Sequence, residues 1–326
     1  MSLATRTAYR DHLVRMMADD PRIVCLDTDT GLFAGVDFGA AASRYVNLGI
    51  AEQNLMGMAA GLAASGWRPY VNTMATFAST RAVEAVKVDI AYNALPVRIV
   101  ATHAGVSAGH LGPTHHCLED LAVMRTLPNM TVVVPGDAPA VPDLLTQLAT
   151  LPGPAYVRLG RKATPDLPAA ARRPLVGQLQ TLLPDGEVLI VSCGPQPTLR
   201  ALAAAELLSA GGPTTPPVAA RVVQAHTVQP FDVDGLLRHA ADVRLVVTVE
   251  EHWRTGGLGS TVAEILAERL PRRLLRLALP DAFVATVGSP DELLDHAGLS
   301  PEGIAAAITA AETDNGGRTN GQLPRV

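Results

Sequence analysis

Two stretches hold residues whose types and spacing suit chemistry. The first is Asn47-Leu-Gly-Ile-Ala-Glu52-Gln-Asn54, where a strand ends, Gly49 permits an unusual turn and an acid opens a helix rich in Ala, Gly and Met. An acid at that place has an ordinary role, because a carboxylate complements the positive end of a helix dipole. Met56, Met58, Ala59 and Leu62 nevertheless make this helix apolar on nearly every side, so Glu52 is poorly solvated and needs a partner. The second stretch runs from Ala101-Thr-His103 through Gly109-His110-Leu111-Gly112 to His115-His116, directly after an apolar strand. Open α/β sheets place their ligands at such strand ends. Four histidines fall within fourteen residues, but their spacing matches no common zinc signature and no acid lies in the loop. Acid–base work and contacts to sugar hydroxyls suit them better than metal.

The elements that must position these groups alternate between two periods. Strands are predicted at Arg22–Asp27, Arg68–Asn72, Val97–Thr102 and Thr131–Val134. Helices are predicted at Arg6–Met17 (with Ser2 and Thr5 as candidate caps), Glu52–Ala64, Ala78–Asn93 and Leu118–Leu127. The stretch 163–186, with repeated Pro and the pair Arg172-Arg173, reads as a linker. A second series follows, with strands at Glu187–Ser192, Ala219–Val223 and Leu245–Val249 and helices at Thr198–Ser209, Val233–His239 and Gly259–Leu270. Two α/β domains with mainly parallel sheets follow from this alternation, at 1–162 and 187–312, with a flexible tail over 313–326.

Composition narrows the function classes. The 326 residues are 48% hydrophobic and 17% charged, enough to bury sizeable cores. A net charge of -5 argues against nucleic-acid binding through general basicity. No apolar run approaches the ~20 residues of a membrane-spanning helix, and the first residues show no secretory-type apolar stretch. Cys25, Cys117 and Cys193 fit neither a disulfide framework nor a zinc site, which points to a reducing cytoplasm.

The ordered set LGIAEQN, THAG, a glycine loop ending GPTHH, LEDLAVMR and LPNMTVVVP resembles the C-terminal half of transketolase, and above all the free-standing C-terminal subunits of split transketolases. Val249-Glu-Glu-His252 with Gly256-Gly-Leu-Gly259-Ser, and Gly288-Ser-Pro-Asp-Glu-Leu-Leu, are similar to the family's C-terminal domain. The resemblance implies a pyrimidine-binding fold followed by a transketolase C-terminal domain, and thiamine diphosphate as cofactor. The family's GDG motif with its following Asn, which binds diphosphate and a divalent ion such as Mg2+, has no counterpart here. The resemblance therefore implies a separate N-terminal subunit that supplies those ligands, with this chain as the homodimeric core of an α2β2 heterotetramer.

On the same grounds Glu52 matches the glutamate that activates the aminopyrimidine, and Met74 and Phe77 match the pair of aromatics that hold it, with Phe77 as the stacking ring. Asp29 matches an aspartate near the thiazolium. His103 and His115 match histidines that contact sugar oxygens and move protons. Arg6 and Arg161 match the arginines that hold a sugar phosphate. Two positions depart from the pattern. Leu111 stands where the family has an acid that selects an acceptor hydroxyl, with His110 as a polar neighbour. Phe33 stands where a phosphate-binding Ser is common, so its ring is expected to reshape the phosphate pocket. The implied activity is two-carbon ketol transfer from a ketose or its phosphate to an aldehyde, with an altered acceptor. A ketoacid-decarboxylating relative (of the deoxyxylulose-phosphate synthase or dehydrogenase-beta type) and a catalytically silent interaction subunit are the alternatives.

Overall fold

The computed structural model describes residues 2–168, 173–212 and 216–313. Arg172 of the expected linker, and the expected tail from residue 314 on, lie outside the described residues. The first half runs β1 (Leu3–Ala4), α1 (Thr5–Asp19), β2 (Ile23–Asp27), β3 (Tyr45–Asn47), α2 (Glu52–Ala64), β4 (Arg68–Met74), α3 (Val83–Ala85), β5 (Arg98–Thr102), α4 (Asp120–Arg125), β6 (Thr131–Val133), α5 (Ala140–Leu148), β7 (Ala155–Arg158) and β8 (Ala163–Thr164). The second half adds β9 (Gln180–Leu183), β10 (Val188–Cys193), α6 (Pro195–Ala210), β11 (Ala220–Gln224), β12 (Thr227–Gln229), α7 (Val233–Ala240), β13 (Leu245–Trp253), α8 (Leu258–Arg269), β14 (Leu274–Leu279), α9 (Pro290–His296) and α10 (Pro301–Thr313). Among the described residues no helix is long and apolar enough to cross a membrane.

Two sheets carry the fold. The first has the order β12-β6-β7-β5-β4-β2-β3 and the second β14-β13-β10-β11-β9. Each is parallel except at one edge, where β12 and β9 run antiparallel to their neighbours. Strands β2 and β10 are buried at every position, as apolar runs must be when helices cover both faces of a parallel sheet.

Three expectations need correction. The stretch 163–186 is more than a linker: β8 pairs with β1, and β9 edges the second sheet. Its prolines hide these pieces because edge strands tolerate proline and short length. The helix expected over Ala78–Asn93 is divided into π-helical turns at Phe77–Arg81 and Val86–Ala91 around α3. Helix α1 has no side-chain cap: Ala4 is the N-cap, and the Thr5 hydroxyl instead accepts from the Gly160 amide at 3.0 Å.

The domains meet through polar groups that water does not reach. Arg158, at the end of β7, donates from Nε to Asp120 at 2.8 Å and from Nη2 to the carbonyls of Glu251 at 2.9 Å and Cys117 at 3.3 Å. Burial works against its charge, but the adjoining Asp120 carboxylate more than compensates and holds the guanidinium protonated. Glu250 accepts from the amides of Leu258 and Gly259 at 2.7 and 2.8 Å, which caps α8 and explains the acid-then-glycine order of this motif. Glu251 crosses the join: its Oε1 accepts from the Val106 amide at 2.7 Å. Gly105, at φ +64, is required there, because a Cβ would stand 2.2 Å from that oxygen.

Burial pushes the Glu251 carboxyl up from 4.5 to about 7. The folded chain thus holds this proton more firmly than the unfolded chain does. The stability linked to it is complete below about pH 4.5 and declines as the pH rises to about 7. Glu251→Gln is expected to remove that decline, so that the stability of the variant relative to the parent rises across this window. Urea unfolding at a series of pH values measures the difference, and parallel curves for the two proteins would show that the carboxyl is not linked to stability.

Candidate functional site

The parallel strands of the first sheet end at one edge, which carries Asp27 of β2, Asn47 of β3, Met74 of β4 and, after β5, His103. The turn from β3 into α2 depends on Gly49 at φ +68, whose amide donates to Asn47 Oδ1 at 2.8 Å. Helix α2 then starts at Glu52 itself.

Glu52 is 2% exposed. Its ion-pair partner is Arg81, with Nη1 3.4 Å from Oε2. The Arg81 guanidinium also lies 4.9 Å from the centre of the Phe77 ring, a cation–π contact. Phe77 in turn meets the His115 ring edge-on, with centroids 5.5 Å apart. One line of contacts therefore joins Glu52, Arg81, Phe77 and His115. Phe77 and Met74 are both half-buried. Beside Glu52 opens a cleft of about 560 Å³, lined also by Ile50, Gln53, Asn54, Arg81 and Asp89.

A second group forms around His103. Its backbone is left-handed (φ +59) and its ring is buried, with Nδ1 2.9 Å from the Thr102 hydroxyl. Burial, and then the charges of Arg6 and Arg161, push its pKa down to about 3, so the imidazole is neutral. Burial, and then Arg161, likewise lower Arg6. Arg161 reaches His110, with Nη1 3.4 Å from Nδ1. Two guanidiniums beside a neutral imidazole can hold an anion and hydrogen-bond a hydroxyl together.

The remaining expected residues separate. Asp29 is exposed at φ +62, with Oδ1 3.5 Å from Asn47 Nδ2, while its buried neighbour Asp27 takes the local hydrogen bonds from the Thr28 amide, Thr30 and Tyr45. Leu111 ends a short 3-10 turn, Gly109–Leu111, and is 40% exposed. The Phe33 ring is buried, 6.3 Å from Tyr9 and 5.7 Å from both Phe38 and Tyr45. A large ring in an apolar setting gains more from burial than from lining a polar site. Arg81, which the sequence analysis does not single out, joins Glu52 to Phe77. Its signal is the spacing of four from Phe77 within a helical segment. Among the described residues no group of three or more His, Cys, Asp or Glu side chains is placed to hold a metal ion.

The chain matches the family models for the transketolase pyrimidine-binding domain over residues 1–166 and the transketolase C-terminal domain over residues 177–304. It is 38% identical over 306 residues to one of the subunits of the apulose-4-phosphate transketolase of Phocaeicola vulgatus, a match that covers 93% of this chain and 95% of that one. It is 37% identical over 309 residues to a 1-deoxy-D-xylulose-5-phosphate synthase from a Synechococcus strain, covering 91% of this chain but 46% of that longer protein. A solved structure described as a split gene transketolase, inactive beta4 tetramer, superposes with a TM-score of 0.85 at 41% identity, covering 95% of this chain and 99% of that one.

The neutral state of His103 is directly testable. Its ring resonances should remain those of uncharged imidazole through the physiological range. Arg6→Met should move the midpoint upward without restoring the ordinary 6.5, because burial, the larger cause, persists. NMR titration of ring-labelled protein checks both, and a midpoint near 6.5 in the unaltered protein would contradict the buried neutral ring.

Proposed function

The chain belongs to the transketolase family, and from that footing we propose that it is the pyrimidine-binding half of a two-component transketolase that moves a two-carbon ketol unit from a ketose or ketose phosphate to an aldehyde. The observation that carries this reading is the buried Glu52 on an open cleft, joined through Arg81 to the half-buried ring of Phe77. The donor set fits thiamine diphosphate, because a water-excluded carboxyl, linked through Arg81 to a half-buried ring with a soft thioether three residues before it, offers the acid, the flat face and the adaptable wall that an aminopyrimidine needs. When bound, that cofactor supplies a nucleophilic carbon able to break the bond beside a ketose carbonyl.

This chain's residues then divide the work. Glu52 shares a proton with the pyrimidine nitrogen where water does not compete for it. Phe77 and Met74 flank the ring, and Asp29 is assigned to the cofactor by resemblance alone. His103 and His115 hydrogen-bond substrate oxygens and pass protons, while Arg6 and Arg161, with His110, hold a phosphate. The diphosphate and its Mg2+ or other divalent ion fall to the N-terminal subunit. The 46% coverage of a single-chain relative supports that division. The exposed Ile50, Val88 and Tyr92, at 74%, 47% and 83%, support pairing of two copies within an α2β2 assembly.

Reconstitution with the N-terminal subunit tests the reading. Given a ketose donor, and pyruvate in a parallel assay, the complex should turn over the ketose. In that complex Glu52→Gln should lower kcat by at least ~100-fold, since Gln keeps the shape but cannot share the proton. A loss smaller than about tenfold at saturating cofactor would give the carboxyl another job.

The acceptor follows from Leu111. A site built around a hydrogen-bonding acid rejects analogues that lack the matching hydroxyl, and an apolar side chain removes that penalty. Leu111→Asp should shift kcat/KM toward hydroxylated aldehydes, measured by competing a 2-hydroxyaldehyde against its deoxy analogue. An unchanged ratio in the variant would show that position 111 does not set acceptor choice.

A further inference from the structure

A separate cavity of about 210 Å³ lies where the end of the glycine loop meets the second domain. Thr76, His116, Leu118 and Glu119 line it from the first domain, and Trp253 and Phe283 from the second. Neither Glu52 nor the group around His103 borders it. The rings of Trp253 and Phe283 stand at 75° with centroids 5.8 Å apart, two walls of an aromatic corner. The indole N–H donates to the Ala282 carbonyl at 3.2 Å, which holds the ring in place and leaves it no donor for an anion. Phe283 is 77% exposed, a large ring kept out of the core.

The charge in the cavity has one sign. Glu119 accepts the Leu118 amide at 2.7 Å through Oε2, but among the described residues no Lys or Arg lies within ion-pair distance of it. Burial, and then the neighbouring Asp120 carboxylate, raise the Glu119 pKa above its ordinary value, which a bound cation would reverse; Arg158, paired with Asp120, opposes the rise only as a minor, longer-range charge. His116 brings no compensating charge, because burial and then His115 lower its pKa despite backbone acceptors nearby. A lone carboxylate offers too few oxygens for Ca2+ or Mg2+, which need several. An organic ammonium asks for less: its methyl groups pack on aromatic faces and its charge is drawn to ring and carboxylate together. The volume, small beside pockets for drug-sized ligands, suits a headgroup-sized molecule.

We propose that this junction cavity binds a small organic ammonium compound, with Trp253 and Phe283 as its aromatic walls and Glu119 as the counter-charge. This site stands apart from the ketol-transfer reading and does not depend on it. The test uses the full chain carrying Trp67→Phe, which leaves Trp253 as the sole tryptophan of the two present. Choline chloride is titrated against its fluorescence, with sodium chloride at matched ionic strength and the uncharged carbon analogue of choline, dimethylbutanol, as controls. A saturable change is expected for choline, with the uncharged analogue binding at least about tenfold more weakly, and a loss of similar size for choline in Glu119→Gln and in Phe283→Ala. The exposed Phe283 can be removed without opening the core, and unchanged unfolding midpoints confirm that the variants are intact. Equal affinity for choline and its uncharged analogue, no saturation, or an unchanged choline Kd in both variants would overturn the proposal.

Discussion

Arg158 carries its charge where water does not reach, and the join between the domains is arranged around that fact. Removing one partner of such a pair costs about 3–5 kcal/mol, because the other charge is stranded. The side chain is therefore enclosed by acceptors: Asp120 on Nε, and the carbonyls of Cys117 and Glu251 on Nη2. Those acceptors come from the start of α4, the end of the glycine loop and the last part of β13. One guanidinium thus locates three elements from two domains. Tyr156 adds its hydroxyl to the same Asp120 oxygen at 2.8 Å.

The consequence reaches the site through the loop that bears the histidines. Its first turn is held where the Val106 amide meets Glu251, its middle where the Gly288 amide donates to the Gly109 carbonyl at 3.2 Å, and its end where Arg158 takes Cys117. Between these anchors lie His110, Leu111 and His115, with His103 just ahead of the first. The second domain contributes none of the side chains in the two clusters around Glu52 and His103. Its structural part is to hold the loop that presents several of them, which makes its buried acids and the loop glycines a single arrangement.

How much of this was legible in the sequence depends on the range of the interaction. Helix α2 was readable to its ends because an acid, a glycine turn and apolar spacing act within a few residues. The central strands were readable because burial on both faces demands unbroken apolar runs. The sequence pattern does not single out α5, β7, β14, α9 or α10, and proline-rich chain hides β9. The placement of Glu52, His103, Arg6 and Arg161 near one sheet edge follows from strand order once the topology is known. The surroundings of Phe33 were not legible, because they are set by Tyr9, Phe38 and Tyr45, which lie elsewhere along the chain. The same limit hid the link between Glu251 and the first domain, since sequence spacing does not show what a strand end meets across a domain boundary.

Arg81 shows how local geometry and burial combine at the site. The π-helical turn Phe77–Arg81 is wider than an α turn and holds both residues, with the guanidinium over its own neighbour's ring. From there the same group reaches Glu52, so Arg81 touches two of the three side chains that the family resemblance assigns to the pyrimidine. The two ends of this ion pair differ sharply in solvation: the Arg81 side chain is 54% exposed and that of Glu52 is 2% exposed. An exposed arginine on a long stem holds such a contact loosely, typically for no more than ~1 kcal/mol. A buried carboxylate without any partner would be far costlier. Arg81 therefore meets the solvation need of Glu52 with a contact that is easily exchanged, and on the proposed reading a flat ring that hydrogen-bonds the carboxyl and stacks on Phe77 would take over both partners of Arg81 at once.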